Sequence, residues 1–456
     1  MAQKEKTGPF GIRGTFAHTP QFDKFEFVEE GVLVCEDGKV AGLFKELPDN
    51  YRSIPVTDYS GKIIIPGMCD LHIHAPQYSF RGLGKNRDEP LKGNWFTRYA
   101  FPDESRYSDL GYARKAYTRL VEDLKKTSTT RLCFFATIHR PATELLMELL
   151  DEAGFAAYVG KVNMDRNSVE GLMETTEETI SETIRWLDET ADRYENVRPI
   201  ITPRYTPSCT DQCSAALGKL AAERKLPVQS HLCEDLDEIE WVHKLSSASE
   251  PYARAYDKFG LFGSDKPAAG QCGAGQIAVM AHCVFPSEGD FELMGKRNVI
   301  VAHCPQSNLW GSGMSAPVMR YLKAGIKVGL GTDVAGGFSL LMNRTMLDAI
   351  AASRIYFAFN VQKGDPRVAP DYLSLANAFY LATKGGGALW GGGNSPGAGS
   401  FEKGYPFDAV VWDDSRLADY NPRTLYERVE RLVSLSDDRD VAAKYIAGKP
   451  MYIREA

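Results

Sequence analysis

Two textures of apolar and polar positions divide this chain. Residues 8–60 carry short alternating runs, the period of half-buried strands. GVLVCEDGKVAGLF (31–44) places two apolar runs around Asp37-Gly38 and predicts a hairpin. Near the other end, a glycine-rich stretch from Gly385 to Gly399 precedes FEKGYPFDAVVWD (401–413), which is strand-like again. The two β-rich ends are expected to pair into one small domain.

The middle of the chain alternates short apolar runs with helix-length amphipathic segments. The runs at 62–74, 130–138, 155–163, 197–204, 227–233, 277–283, 299–304 and 327–333 predict eight strands. PATELLMELLDEA, EETISETIRWLDETADRY and TDQCSAALGKLAAERK predict helices between them, the last with Thr210 as N-cap before Asp211. Strand followed by helix, eight times over, argues for a parallel sheet and fits a (β/α)8 barrel of the TIM type. An open doubly wound sheet has the same periodicity. G-x-G at 329–331 completes no G-x-G-x-x-G, and no P-loop is present, so nucleotide cofactors receive no support.

Composition narrows the function classes. The chain has 456 residues, 53 Lys plus Arg against 60 Asp plus Glu, and a net charge of −7. Without a basic run it is a poor partner for nucleic acid. No apolar run approaches the ~18–20 residues that span a bilayer, and MAQKEKTGPFGIRG does not read as a secretory signal. Nine cysteines, with no C-x-x-C pair, read as buried reduced thiols of a cytoplasmic protein.

The chemistry concentrates in histidine. Of eight histidines, five lie at or near predicted strand ends: His72, His74, His231, His282 and His303. Asp333 closes the eighth predicted strand. In a barrel that end is the active face. His72 and His74, two apart on a strand, share one side and could share one cation; imidazole with a carboxylate suits zinc or ferrous iron. A single H-x-H can also be an ordinary satisfied pair, but several imidazoles buried together without a cation are costly. Glu234, three residues after His231, would reach over the metal; the alternative is a first-turn carboxylate complementing a helix dipole. His282 and His303 each could be a core histidine. His18, His139 and His243 are set aside. The H-x-E and P-C-x-x-C of the other deaminase architecture are absent.

PGMCDLHIHAPQYSFRG (66–82), the PRY within 201–205, QSHLCE (229–234), MAHC (280–283), AHCPQSNL (302–309) and GLGTDVAGG (329–337) together resemble the guanine deaminases of the metal-dependent amidohydrolase superfamily. The strand-end histidines and Asp333 are common across that superfamily; HIHAPQYSF and GTDVAGG are more specific. The resemblance covers roughly residues 10 to 450. It implies a distorted (β/α)8 barrel over 66–394, with a small β-sandwich from 1–65 and 395–456. It implies one divalent metal per chain, zinc or else ferrous iron, on His72, His74, His231 and Asp333. Catalytic roles fall to Glu234 as proton shuttle, His282 beside the water, and Asp333. Gln77 and Arg204 match positions that hydrogen-bond a purine, and Tyr205 retains an aromatic there. Cys283 stands where the family carries glycine. No lysine ends the fourth strand, so a second bridged metal is not expected.

The implied reaction is hydrolysis of guanine to xanthine and ammonia, by a cytoplasmic homodimer acting on a small purine base. Arg204 offers donors and no acceptor, which suits a carbonyl and should refuse adenine. Trp95 could stack on the base or pack under a loop. A pterin, an oxidised guanine or a triazine is the nearest competing substrate, and a non-catalytic barrel the competing class.

Overall fold

The structure, a computed structural model, describes residues 8–84, 95–246, 250–266, 275–364, 371–392 and 395–454. The first seven residues and Cys272 lie outside them. Four strands open the chain: β1 (Phe10–Gln21), β2 (Lys24–Glu36), β3 (Lys39–Phe44) and β4 (Val56–Pro66). The hairpin between β2 and β3 pairs Glu36 with Lys39. Asp37 and Gly38 both take positive φ, 49° and 74°, as a two-residue type I′ turn requires.

The central strands follow: β5 (Met68–His74), β6 (Thr129–Phe135), β7 (Ala156–Gly160), β8 (Val162–Asn163), β9 (Val197–Pro199), β10 (Thr202–Pro203), β11 (Val228–Leu232), β12 (Ala278–His282), β13 (Val299–His303) and β14 (Lys327–Leu330). β5-β6-β7-β9 and β11-β12-β13-β14 form two four-stranded parallel sheets, and β10 pairs with β8. Backbone bonds also run between the sheets. Gln229 N donates to Ile201 O at 2.9 Å, while Asp333 N donates to His72 O at 2.8 Å and His74 N to Val334 O at 2.9 Å. Leu71, Cys133, Ile200, Val279, Ala281, Ile300 and Ala302 fill one apolar cluster inside these strands.

The expected helices are present as Arg140–Glu152, Thr176–Thr190 and Asp211–Glu223. Thr210 caps the last, its Oγ1 accepting from Cys213 N at 3.1 Å. The run at 62–74 is two strands rather than one. It breaks at Gly67, where a Cβ would lie 2.1 Å from Thr130 Oγ1. Only glycine lets the chain pass from one sheet to the other at that distance.

A two-residue hairpin, β15 (Gly391–Gly392) with β16 (Ser395–Pro396), precedes β17 (Ala409–Trp412), β18 (Val441–Ile446) and β19 (Lys449–Ile453). The two chain ends do pair, in one seven-stranded sheet ordered β19-β18-β17-β4-β1-β2-β3. The edge strand β3 reaches round to the segment leading into β17: Val40 N donates to Tyr405 O at 2.8 Å and Phe407 N to Gly38 O at 2.9 Å, so this sheet coils over a core that includes Ile12, Phe16, Ile64, Phe407 and Val411. Where two facing sheets are expected, one hydrogen-bonded sheet curls on itself. Buried polar ties fasten it to the parallel strands. Arg131 of β6 pairs with Asp408 at 2.6 Å, and Lys444 Nζ donates to Leu124 O and Thr129 O at 2.8 and 2.9 Å. Among the described residues no helix is long and apolar enough to cross a membrane.

Candidate metal centre and substrate pocket

Strand alternation brings His72 and His74 to one place at the end of β5, where His231 from β11 and His282 from β12 meet them. All four imidazoles are buried. His72 Nε2 lies 3.3 Å and His74 Nε2 3.6 Å from Asp333 Oδ1, and His231 Nε2 lies 3.3 Å from His74 Nε2. Carbonyl oxygens fix two tautomers. His231 Nδ1 donates to Arg204 O at 2.6 Å, and His282 Nδ1 to Asn308 Oδ1 at 2.8 Å. A carbonyl only accepts, so in both rings Nδ1 carries the proton and the Nε2 lone pair faces the centre. Burial, with the neighbouring imidazoles adding to it, holds His74 and His231 well below the ordinary histidine range. Burial works against charge on Asp333, but a hydrogen bond from His72 and the imidazoles around it override that and keep the carboxyl well below its usual range. Neutral imidazoles and an ionised carboxylate, with outer hydrogen bonds already made, are the donor set of a divalent cation. His72, His74 and His231 form one group able to hold a metal, and His72, His282 and Asp333 an overlapping one.

Asp333 does not end a strand. β14 stops at Leu330, and Asp333 follows three residues later with φ of 49°. Backbone bonds to β5 put it in place, helped by Asp70, which accepts from Thr332 N at 3.0 Å and from His72 N at 3.2 Å.

Above this centre lies a cavity of about 400 Å³. Its lining includes His74, Gln77, Arg204, Tyr205, Glu234 and Asp333, with Trp95, Trp241 and Trp310 among its aromatic walls. Glu234 is not a first-turn carboxylate: the helix that follows is Leu236–Leu245 and its cap is Asp235. The Glu234 main chain is clamped from both sides. Its N–H donates to Glu238 Oε2 at 3.2 Å and its carbonyl accepts from Ser312 Oγ at 2.7 Å. Its Oε2 sits 3.9 Å from His282 Nε2. Burial pushes the Tyr205 phenol up to about 12, so it keeps its proton at neutral pH. Trp95 both lines the cavity and packs on Phe80, with Nε1 donating to Leu83 O.

The family model for the amidohydrolase family matches residues 63–451. The chain belongs to the amidohydrolase family. It is 34% identical to a guanine deaminase of Dictyostelium discoideum over 462 residues, 96% of this chain and 97% of that one. It is 31% identical to a guanine deaminase of Escherichia coli over 94% of this chain and 92% of the other. The solved guanine deaminase of C. acetobutylicum, with guanine bound in its active site, superposes with a TM-score of 0.89 at 40% identity, over 98% of this chain and 100% of that one.

In this amidohydrolase the residues singled out for the metal, for proton transfer and for the purine all line this cavity except His72, which touches it only through Asp333, 3.3 Å away. His303 does not. It is fully buried, does not line the cavity and is pushed down to about 3 by burial, with His282 adding to that. His282 and Cys283 both take left-handed φ, 71° and 47°, which a glycine at 283 would adopt without strain. All eight described cysteines are buried and form no disulfide. Sequence reading missed Glu104, which is 2% exposed. Its carboxylate accepts from Arg204 Nη1 at 2.6 Å, Arg204 Nη2 at 3.1 Å and Gln77 Nε2 at 2.7 Å. It lies 27 residues from Gln77 and 100 from Arg204, and no local signal connects them.

Proposed function

We propose that the protein is a guanine deaminase, hydrolysing guanine to xanthine and ammonia. The observation that carries this is a shared pocket. The imidazole–carboxylate cluster forms its floor, and Arg204 and Gln77 present polar groups from its wall. Similarity over nearly the full chain to guanine deaminases supports the substrate. We read His72, His74, His231 and Asp333 as ligands of one divalent metal, zinc or else ferrous iron. When bound, the metal acidifies a water so that the nucleophile is available at neutral pH.

The chain's own groups do the rest. His282, its Nδ1 tied to Asn308, offers Nε2 to hold that water. Glu234 protonates the ring nitrogen next to the amine-bearing carbon, so charge does not build up on the ring. One of the water's two protons replaces the one Glu234 gave to the ring; Asp333 and Glu234 carry the other to the exocyclic nitrogen, which leaves as ammonia while the added oxygen becomes the carbonyl. Acid–base catalysis of this kind contributes about 10²–10⁴-fold. Arg204 and Gln77 bind the purine edge, and Tyr205 stacks on the ring. We read the two parallel sheets, joined by the bonds at Ile201–Gln229 and at His72–Asp333, as a closed (β/α)8 barrel over 66–394. The chain ends form its companion domain. The reduced, buried cysteines support a cytoplasmic location, and the family resemblance supports a homodimer.

Ammonia release from guanine, with metal content measured on the same sample, tests this. The expectation is about one metal per chain and a kcat of ~1–10³ s⁻¹, both lost on chelation. Metal without turnover of guanine would move the substrate to a related heterocycle. Neither metal nor turnover in folded protein would overturn the enzymatic reading.

A further inference from the structure

We propose that Glu104 sets the specificity of the purine site by fixing the polarity of Gln77 and Arg204, so that both present hydrogen-bond donors to the substrate. The inference rests on the assignment of those two side chains to purine binding. Glu104 itself does not line the cavity, and it acts through the residues it holds, as a positioning residue.

The chemistry leaves Gln77 one orientation. A carboxylate paired with arginine can only accept, and a main-chain N–H can only donate. Gln77 lies between one of each. Its Nε2 is 2.7 Å from Glu104 Oε1, and its Oε1 is 3.3 Å from Ala335 N. Turning the amide over would set donor against donor at Ala335 and acceptor against acceptor at Glu104. The second N–H of Gln77 therefore remains for the pocket. Arg204 spends one N–H from each Nη on Glu104, which leaves three of its five for other partners. A ligand edge that meets two sets of donors must carry acceptors. The carbonyl oxygen of guanine and the unprotonated five-membered-ring nitrogen on the same edge do so, whereas a purine with an amine at that carbon offers a donor. Sites built this way reject the mismatched analogue strongly, because buried polar groups are left unpaired.

Glu104→Gln changes the carboxylate to an amide of the same size, which offers an N–H to Gln77 and frees that amide to turn. The probes are guanine and 2,6-diaminopurine, which differ in carbonyl against amine at that carbon and in the proton on the ring nitrogen bonded to it. The wild type is expected to prefer guanine. The variant should raise KM for guanine about 100-fold, the cost of a misplaced binding group. Its kcat should change far less, and its preference over 2,6-diaminopurine should fall by a similar factor, with metal content retained. Glu104→Asp keeps the charge and should retain the preference. If Glu104→Gln keeps the wild-type preference, or loses activity on both purines alike, the inference is overturned. If that variant does not fold, Gln77→Leu decides: the preference must fall, and an unchanged preference sinks the idea. A wild type inactive on guanine would instead overturn the function on which this rests.

Discussion

Replacing His303 with leucine should flatten the acid limb of this protein's stability. His303 ends β13, is fully buried, and neither ring nitrogen has a hydrogen-bond partner among the described residues. Burial pushes its imidazole down to about 3, whereas in the unfolded chain it titrates near 6.5. Between those values the unfolded chain binds a proton and the native protein does not, so stability falls as pH falls. The slope is about 1.36 kcal/mol per pH unit once the unfolded imidazole is charged. From pH 7 to pH 5 this amounts to about 2 kcal/mol, and leucine has no proton to bind. Urea unfolding of both metal-loaded proteins at the two pH values measures it. The other buried histidines are common to both proteins and cancel. His303→Leu should lose about 2 kcal/mol less than the wild type on going to pH 5. Equal losses in the two proteins would refute the reasoning and show that the native imidazole takes up its proton in that range.

Glu234→Gln should lower kcat about 10²–10⁴-fold while metal content stays the same; a change confined to KM would argue against proton transfer. Asp408→Ala leaves Arg131 buried without its carboxylate, and the melting temperature should fall by the equivalent of about 3–5 kcal/mol. An unmoved melting curve would mean that the pair does not fasten the two parts of the molecule. Thr210→Ala removes the cap of the helix Asp211–Glu223 and should cost about 1 kcal/mol by urea midpoint; a null result would place the helix start under tertiary control.

What was legible in the sequence was what chain periodicity expresses. His72 and His74 announce a shared direction because strand side chains alternate, and His231 and His282 lie at or near the ends of short runs whose length and flanks read as strands. Asp37-Gly38 announces its hairpin because a two-residue turn needs both residues at positive φ. Asp333 was read correctly as a partner of the histidines but wrongly as a strand end, since the bonds that place it come from β5. The break at Gly67 was invisible because the residue it must avoid, Thr130, is distant in sequence. Glu104 was missed for the same reason. Its meaning lies in contacts with Gln77 and Arg204, and a lone glutamate in FPDES carries no mark of them.

The seven-stranded sheet also imposes an order on biosynthesis. β4 is finished at Pro66, but its neighbour β17 starts at Ala409. A ribosome adding about 5–20 residues per second needs roughly 17–70 s to cover that interval. Throughout it, the β4 edge along Ile63, Ile64 and Ile65 has no strand to pair with on that side, and an open apolar edge invites association with other chains. The parallel strands must form while this edge waits, so nascent chains of this protein should engage holding chaperones through the β4 segment and release them only after β17 emerges.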